Sequence, residues 1–191
     1  MPIHLFLASR SPRRRELLRQ IGRSFDVVDV DVPERREPDE SPEDYVSRVA
    51  REKAGAGLMQ VAAVHDAVVI GADTEVVLDD HVFGKPADAA DAAAMLRRLS
   101  GRRHRVLSAV WCISAGREEH ALSISTVEFA PMSEADIAAY IATGEAFGKA
   151  GAYAIQGHAA AYISRLDGSH SAVMGLPLHE TSQLLRRFEH G

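Results

Sequence analysis

The sequence has few of the features that mark secreted, membrane-spanning or disulfide-stapled proteins. Its 191 residues include a single cysteine, Cys112, which excludes an intrachain disulfide framework and fits a reducing compartment. No apolar run approaches the roughly 20 residues of a membrane span. The apolar run 3–8 is too short for a signal peptide and stops at Arg10. We therefore expect a cytoplasmic protein with no membrane partner.

The chain also lacks an excess of positive charge. The net charge is −5, with 26% charged and 46% hydrophobic residues, which is the composition of an ordinary soluble domain. A protein that coats nucleic acid usually carries a basic face, so we expect no tight nucleic-acid binding. The sequence still allows the binding of small anionic ligands, because arginines cluster at 13–15 and 102–103. No repeat, linker or low-complexity segment interrupts the chain, which predicts one domain over residues 1–191.

Strands and helices are predicted from apolar periodicity and from capping residues. Strands are expected at 3–8, 25–32, 67–78, 106–114, 121–129 and 161–166. Helices are expected from residue 12, at 42–59 after the cap Ser41, at 89–99 after the cap Asp88, from the cap Ser133 to about residue 143, and at 177–188. Strands 106–114 and 121–129 are expected to form an antiparallel hairpin around the turn at 115–118.

An acidic residue interrupts the longest of these strands. Asp73 follows the apolar run 67–70, and alternation along a strand places Asp73 and Glu75 on the same face. A buried carboxylate is costly unless a cation or a metal ion meets it. An isolated Asp-Thr pair is more typical of a turn at a strand end, but the cations elsewhere in the chain favour a functional site.

Two lysines are candidates for that partner. Lys53 is spaced three and four residues from Val49 and Val46, which places its ammonium group on the apolar face of its helix. Its aliphatic stem either snorkels to solvent or carries the charge to an inward anion, and both interpretations stay open. Lys85 follows Asp73 within reach of a hairpin.

The first strand leads directly into a helix start that suits a phosphate group. Ser11 is the expected N-cap and Pro12 the first helical residue. The free N–H groups of such a helix end, with Arg13 beside them, form a plausible phosphate seat. The same motif is purely structural as often as it is functional. Arg14 and Arg15 are expected to be solvated.

A glycine-rich segment at 148–157 suits a close approach to a ligand. It is not a Walker A loop, because Ala150 stands where a serine or threonine should bind magnesium. Gln156 offers a paired donor and acceptor with which to read a base edge. His104, at the start of a strand, either touches a ligand or is satisfied locally.

Seven motifs in this order resemble the Maf-type nucleoside triphosphate pyrophosphatases over the whole chain. They are 8–14, 50–54, Gly71-Ala72-Asp73-Thr74, Gly84-Lys85-Pro86, Leu99-Ser100-Gly101 with His104, 148–157, and Gly175-Leu176-Pro177-Leu178. The segment that ends at Gln156 looks like the branch that hydrolyses dTTP and UTP. The chain departs from many members at His170, Ala172 and Ser108, which concerns the C-terminal wall more than the phosphate site.

The resemblance implies a fold, a reaction and partners. The fold would be α/β, like that of inosine triphosphate pyrophosphatases, with two lobes around an elongated curved mixed sheet and a central cleft. The reaction would cleave a nucleoside triphosphate between its α and β phosphates, giving a monophosphate and pyrophosphate. A divalent cation, Mg²⁺ or Mn²⁺, and a homodimer are also implied.

Roles for individual residues follow from the resemblance together with the charges. Asp73 is implied as the proton acceptor, and Arg13, Thr74 and Gln156 are implied to set base preference. Arg13, Lys53 and Lys85 would neutralise the charge that develops on the departing pyrophosphate. Glu34 and Asp73 are the expected metal ligands and water-orienting groups, and Ser9 is an expected substrate contact.

Two other functions stay open from the sequence. One is a nucleotide-binding or nucleic-acid-binding regulator of cell division that performs no chemistry. The other is a pyrophosphatase or phosphatase that acts on 7-methyl-GTP or other modified nucleotides. The combination of Asp73 with three cations favours an enzyme.

Overall fold

The computed structural model describes residues 3–190, which form six α-helices and seven strands with two short 3₁₀ helices. The elements are β1 His4–Ala8, α1 Pro12–Gln20, β2 Asp26–Val28, α2 Pro42–Gln60, β3 Ala67–Leu78, β4 His81–Phe83, α3 Ala89–Leu99, β5 Arg103–Ile113, β6 Glu118–Phe129, α4 Glu134–Ala142, β7 Ile163–Asp167, α5 His170–Met174 and α6 Leu178–His190, with 3₁₀ turns at Ala150–Ala152 and His158–Tyr162. No helix within residues 3–190 has the length and apolar character needed to cross a membrane.

The strands form one mixed sheet, which confirms the expected α/β class with a mixed sheet. Their order is β2-β1-β3-β5-β6-β7, and β4 pairs with β3 outside this path. β1 runs parallel to β2 and to β3, whereas β4 is antiparallel to β3 and β7 is antiparallel to β6. Only residues 114–117 join the neighbouring strands β5 and β6. That connection is too short for a parallel crossover, so the predicted antiparallel hairpin is confirmed.

Four helices begin at the capping residues that the sequence predicts. Ser11, Ser41, Asp88 and Ser133 each accept a hydrogen bond from the backbone N–H three residues further on. At α4 the Asp136 side chain returns a bond to the cap and completes a capping box. These bonds use atoms within one turn of chain, which is why the helix starts could be read from sequence.

The ends of several strands differ from the prediction, including the start of β6 at Glu118 rather than residue 121. β2 stops at Val28, the residue that pairs with Ala8 at the end of β1. β5 begins at Arg103 rather than residue 106, and the ladder reaches this point because Phe129 donates its N–H to the carbonyl of Arg102 at 3.0 Å. β7 begins at Ile163 because the preceding five residues coil into a 3₁₀ helix.

The chain divides into two compact units. The first comprises residues up to 73, residues 108–123 and residues from 175 onward, and Phe6, Ala8, Val28 and Val69 lie in one of its apolar clusters. The second comprises residues 74–107 and 124–174, with a core that includes Phe83, Leu96, Leu99, Phe129 and Ile137. The expectation of a single functional domain over residues 1–191 stays a prediction.

Candidate active site

Asp73 meets a cation, as its burial in a strand requires. It is 4% exposed near the middle of β3, and Lys53 of α2 is 8% exposed beside it. The Lys53 ammonium donates one hydrogen bond to Asp73 Oδ1 and another to Glu34 Oε1, each 2.7 Å long. Glu34 lies in the connection between β2 and α2. Of the two interpretations of Lys53, the inward anionic partner is therefore confirmed.

A glycine brings the lysine within reach of the aspartate. Gly71 precedes Asp73 by two residues and so shares its face of β3. A Cβ atom at Gly71 would lie 2.5 Å from the backbone nitrogen of Ala54, and closer still to the carbonyl oxygen of Ala50. These two alanines flank Lys53 on α2. The helix backbone thus rests directly on the strand backbone, and this close packing brings the ammonium group to the carboxylate.

The second carboxylate oxygen of Asp73 makes no hydrogen bond to the described part of the protein. Oδ2 is buried and has no hydrogen-bond partner within residues 3–190. A buried acceptor without a partner is costly, by about 1–3 kcal/mol, and calls for an explanation such as a bound ion or a catalytic role. Two carboxylates share one ammonium here, so the group formed by Glu34, Lys53 and Asp73 carries a formal charge of −1. Such a group suits a proton acceptor or a cation ligand.

The backbone of Asp73 is supported from the neighbouring strand. Ser108 of β5 is fully buried, and its hydroxyl donates to the carbonyl of Asp73 at 3.5 Å. The sequence singled out Ser108 only as a departure from the family pattern. The contact could have been predicted from the sequence only by noting that Ser108 places a hydroxyl group within an apolar strand.

The start of α1 is built around two serines. Ser11 caps the helix, and the hydroxyl of the buried Ser9 accepts a hydrogen bond from the Ser11 N–H at 3.2 Å. Arg13 lies half-buried in the first turn. Arg14 is not solvated as expected, because its Nε donates to the carbonyl of Gly175 at 2.7 Å. That contact joins residues far apart in sequence, so no local pattern signals it.

Three predicted site residues lie in the second unit. Thr74 follows Asp73 on β3 and is half-buried, while Lys85 and Gln156 are exposed. The turn before Lys85 is tied to the glycine-rich segment, since the Gly151 N–H donates to the carbonyl of Gly84 at 3.2 Å. Ser9, Arg13, Glu34, Lys53 and Asp73 all belong to the first unit.

A divalent cation is compatible with the acids of the first unit. No group of three or more His, Cys, Asp or Glu side chains suited to a metal ion occurs within the described part of the chain. Magnesium, however, is commonly held by one or two carboxylates together with substrate phosphates and water. Glu34 and the unpartnered oxygen of Asp73 match that donor set.

His104 and Cys112 are both buried, and the contacts given below for His104 are with aromatic residues of the second unit. His104 Nε2 and the Tyr153 hydroxyl form a 2.7 Å hydrogen bond, and the imidazole ring stacks on Phe129. Burial lowers the pKa of His104 to about 4. Burial likewise raises the pKa of the Cys112 thiol to about 12, which disfavours the thiolate that a nucleophile needs. Nε2 of His104 is thus satisfied locally, whereas its buried Nδ1 has no hydrogen-bond partner within residues 3–190.

Comparison with known proteins shows which family the chain matches. The model for "Maf-like protein" matches residues 4–188. A dTTP/UTP pyrophosphatase of Xanthomonas euvesicatoria pv. vesicatoria (strain 85-10) is 59% identical over 186 residues, covering 96% of this chain and 98% of that protein. A nucleoside triphosphate pyrophosphatase of Xylella fastidiosa (strain 9a5c) is 55% identical over 186 residues, covering 97% and 98%. Among solved structures, the Ham1 protein of Staphylococcus aureus matches with a TM-score of 0.44 and 15% identity, over 66% of this chain and 72% of that one.

Proposed function

The chain belongs to the family of Maf-like proteins, and from this premise we propose that it hydrolyses dTTP and UTP to the monophosphate and pyrophosphate. The observation that carries the proposal is the buried Asp73, whose Oδ1 is held by Lys53 and whose Oδ2 has no partner within residues 3–190. The relatives named dTTP/UTP pyrophosphatase, with up to 59% identity over nearly the full chain, support the choice of substrate.

In the proposed reaction a water molecule attacks the α phosphorus and the bond to the β phosphate breaks. The water oxygen stays with the nucleoside monophosphate, the bonding electrons leave with pyrophosphate, and Asp73 accepts the proton of the water. Lys53 holds one carboxylate oxygen in place and leaves the other to act as the base. A base held in one orientation loses less to misalignment during proton transfer.

We also propose that Glu34 and Asp73 hold a divalent cation, Mg²⁺ or Mn²⁺, together with the substrate phosphates. Glu34 would supply a carboxylate oxygen to the cation directly, whereas Asp73 would act through water, so that its Oδ2 stays free to accept the proton. When bound, the cation would neutralise charge on the triphosphate. The support is the chemistry of the donors, since hard cations of this kind prefer carboxylate oxygens.

The remaining assignments extend this proposal to substrate binding. Ser9 and Arg13 lie at the N-terminal end of α1, where free N–H groups and a guanidinium favour a phosphate. Lys85 would contribute charge to phosphate binding. Thr74 and Gln156 would take part in base preference, and the exposed amide of Gln156 has the donor and acceptor that this role needs.

A cytoplasmic location and a homodimer complete the proposal. The single cysteine is buried and free, which fits a reducing compartment. The homodimer rests on the family alone.

The test is a substrate panel with identification of products. The purified protein is incubated with Mg²⁺ and each of dTTP, UTP, CTP, GTP and 7-methyl-GTP, and products are separated by ion-exchange chromatography. We expect monophosphate and pyrophosphate from dTTP and UTP, and no turnover after chelation of the metal. Release of inorganic phosphate with a diphosphate would contradict the bond assignment. Preferred turnover of 7-methyl-GTP would favour the other branch, and binding of nucleotide without turnover would favour a regulator.

A further inference from the structure

Gln156 extends an exposed side chain from a backbone that is otherwise closely held. The five residues before it, 151–155, are all buried. The Ala154 N–H donates to the hydroxyl of Tyr140 at 3.0 Å, and the Gly157 N–H donates to the Ala154 carbonyl at 3.1 Å. Gln156 therefore occupies the third position of a tight turn that is anchored to α4 on its N-terminal side.

Glu145 anchors the C-terminal side of the same turn. Its Oε2 accepts a hydrogen bond from the His158 backbone N–H at 2.9 Å, and its Oε1 lies 2.6 Å from His158 Nδ1. A Cβ atom at Gly157 would lie 2.6 Å from the Glu145 carboxyl carbon. The carboxylate therefore packs against the peptide that follows Gln156, and a side chain at Gly157 would displace it.

Lys149 closes the segment that begins at Glu145. Its ammonium group donates to the carbonyl of Glu145 at 2.6 Å and to that of Phe147 at 3.4 Å. Glu145 is thus held by its own backbone as well as by its carboxylate. With its backbone carbonyl and its carboxylate both hydrogen-bonded, Glu145 can support the turn that it touches.

We propose that Glu145 is a positioning residue for base selection, acting through Gly157 and His158 to hold Gln156. The inference rests on the proposed function, in which Gln156 contacts the pyrimidine. An amide reads a base edge only when its oxygen and its nitrogen lie at fixed places, because hydrogen bonds weaken steeply with misalignment. The base itself does not react, so a contact that selects it should act on substrate binding and selection rather than on the bond-breaking step.

Steady-state kinetics with dTTP, UTP and CTP test this inference. We expect Glu145→Ala to raise KM for dTTP and UTP by about tenfold, the value of roughly one hydrogen bond, with kcat changed little. The preference for dTTP and UTP over CTP in kcat/KM should shrink by a similar factor. Glu145→Gln keeps an oxygen for the His158 N–H and should restore most of the preference. Glu134→Ala removes an exposed ion pair with Arg97 in the same unit and should change neither quantity.

The double variant separates this inference from the proposed function. If Glu145 acts through Gln156, adding Glu145→Ala to Gln156→Ala should cause no further loss of preference, because the two changes remove the same interaction. A preference that survives Gln156→Ala would refute the role of Gln156 in the proposed function, and the inference with it. If Gln156→Ala abolishes the preference but Glu145→Ala leaves it intact, only the role of Glu145 is refuted. If Glu145→Ala lowers both kcat and the melting temperature but leaves the preference for dTTP and UTP unchanged, the role of Glu145 is merely structural.

Discussion

At the scale of single residues, the proposed reaction depends on Asp73, whose Oδ2 has no hydrogen-bond partner within residues 3–190. Replacing it by asparagine keeps the shape of the side chain and an acceptor for Lys53 but removes the charge and the basic oxygen. We expect turnover of dTTP to fall at least about 10²-fold, roughly 3 kcal/mol of transition-state stabilisation, while nucleotide affinity is retained. Turnover, affinity and melting temperature should be measured on the same sample.

The matched control for Asp73→Asn is Asp79→Asn. Asp79 directly follows β3 and pairs with Arg102 in an exposed ion pair, so its loss should leave turnover near normal. Near-normal turnover of a stably folded Asp73→Asn protein would remove Asp73 from the mechanism. Joint loss of stability and affinity would instead identify a structural ion pair with Lys53.

His104 should make the protein less stable in mild acid. Burial lowers its pKa to about 4 in the folded state, whereas an unfolded histidine titrates near its ordinary value of about 6.5. Between these values the unfolded chain binds more protons, so the free energy of unfolding falls as pH decreases, by up to about 1.4 kcal/mol per pH unit.

Urea unfolding between pH 7 and pH 4 measures this effect. His104→Gln keeps a hydrogen-bonding side chain opposite Tyr153 but does not titrate, so its unfolding free energy should depend less on pH across this window. Identical pH profiles for the two proteins would show that His104 is not the group responsible.

At the scale of the elements, the contact between α2 and β3 depends on Gly71. Alanine at this position would force its methyl group against the α2 backbone, since the Cβ would lie 2.5 Å from the nitrogen of Ala54. We expect a loss of about 1–3 kcal/mol in the free energy of unfolding. Because α2 carries Lys53, turnover should also fall, by up to about 10²-fold for a displacement near 1 Å.

Gly55→Ala is the control within the same helix. A Cβ at Gly55 meets nothing within 4 Å, and alanine is the better helix former, so this variant should be more stable by about 0.5–1 kcal/mol. Chemical denaturation and turnover of both variants provide the comparison. A Gly71→Ala protein as stable and active as Gly55→Ala would contradict the close packing of α2 on β3.

At the scale of the whole molecule, net charge argues against a role in coating nucleic acid. With a net charge of −5, the protein should bind duplex DNA no more tightly than the about 10⁻⁴–10⁻⁶ M typical of non-specific contacts at physiological salt. Fluorescence anisotropy with labelled duplex DNA over a range of salt concentrations measures this. Submicromolar binding with a steep salt dependence would overturn the expectation.

Much of the fold could be predicted from local signals, whereas the ends of strands could not. The start of α3 at Ala89 follows from Asp88 alone, because a cap bonds to the N–H three residues away. The end of β2 at Val28 depends instead on β1, which stops at the paired residue Ala8. A strand persists only where a neighbour accepts its hydrogen bonds, and that neighbour is not adjacent in sequence.

In the candidate site, too, some features could be predicted from the sequence and others depend on long-range packing. The sequence alone determined that Asp73 needs a cation, since a carboxylate within an apolar strand is costly to bury, and it placed Lys53 on an apolar helix face. Only the tertiary structure decided that Lys53 bonds to Asp73 Oδ1 and that Glu34 shares the same ammonium group. The reason is physical: ion pairing acts across the packing of α2 on β3 between residues 20 positions apart, and that packing arises only when the chain folds.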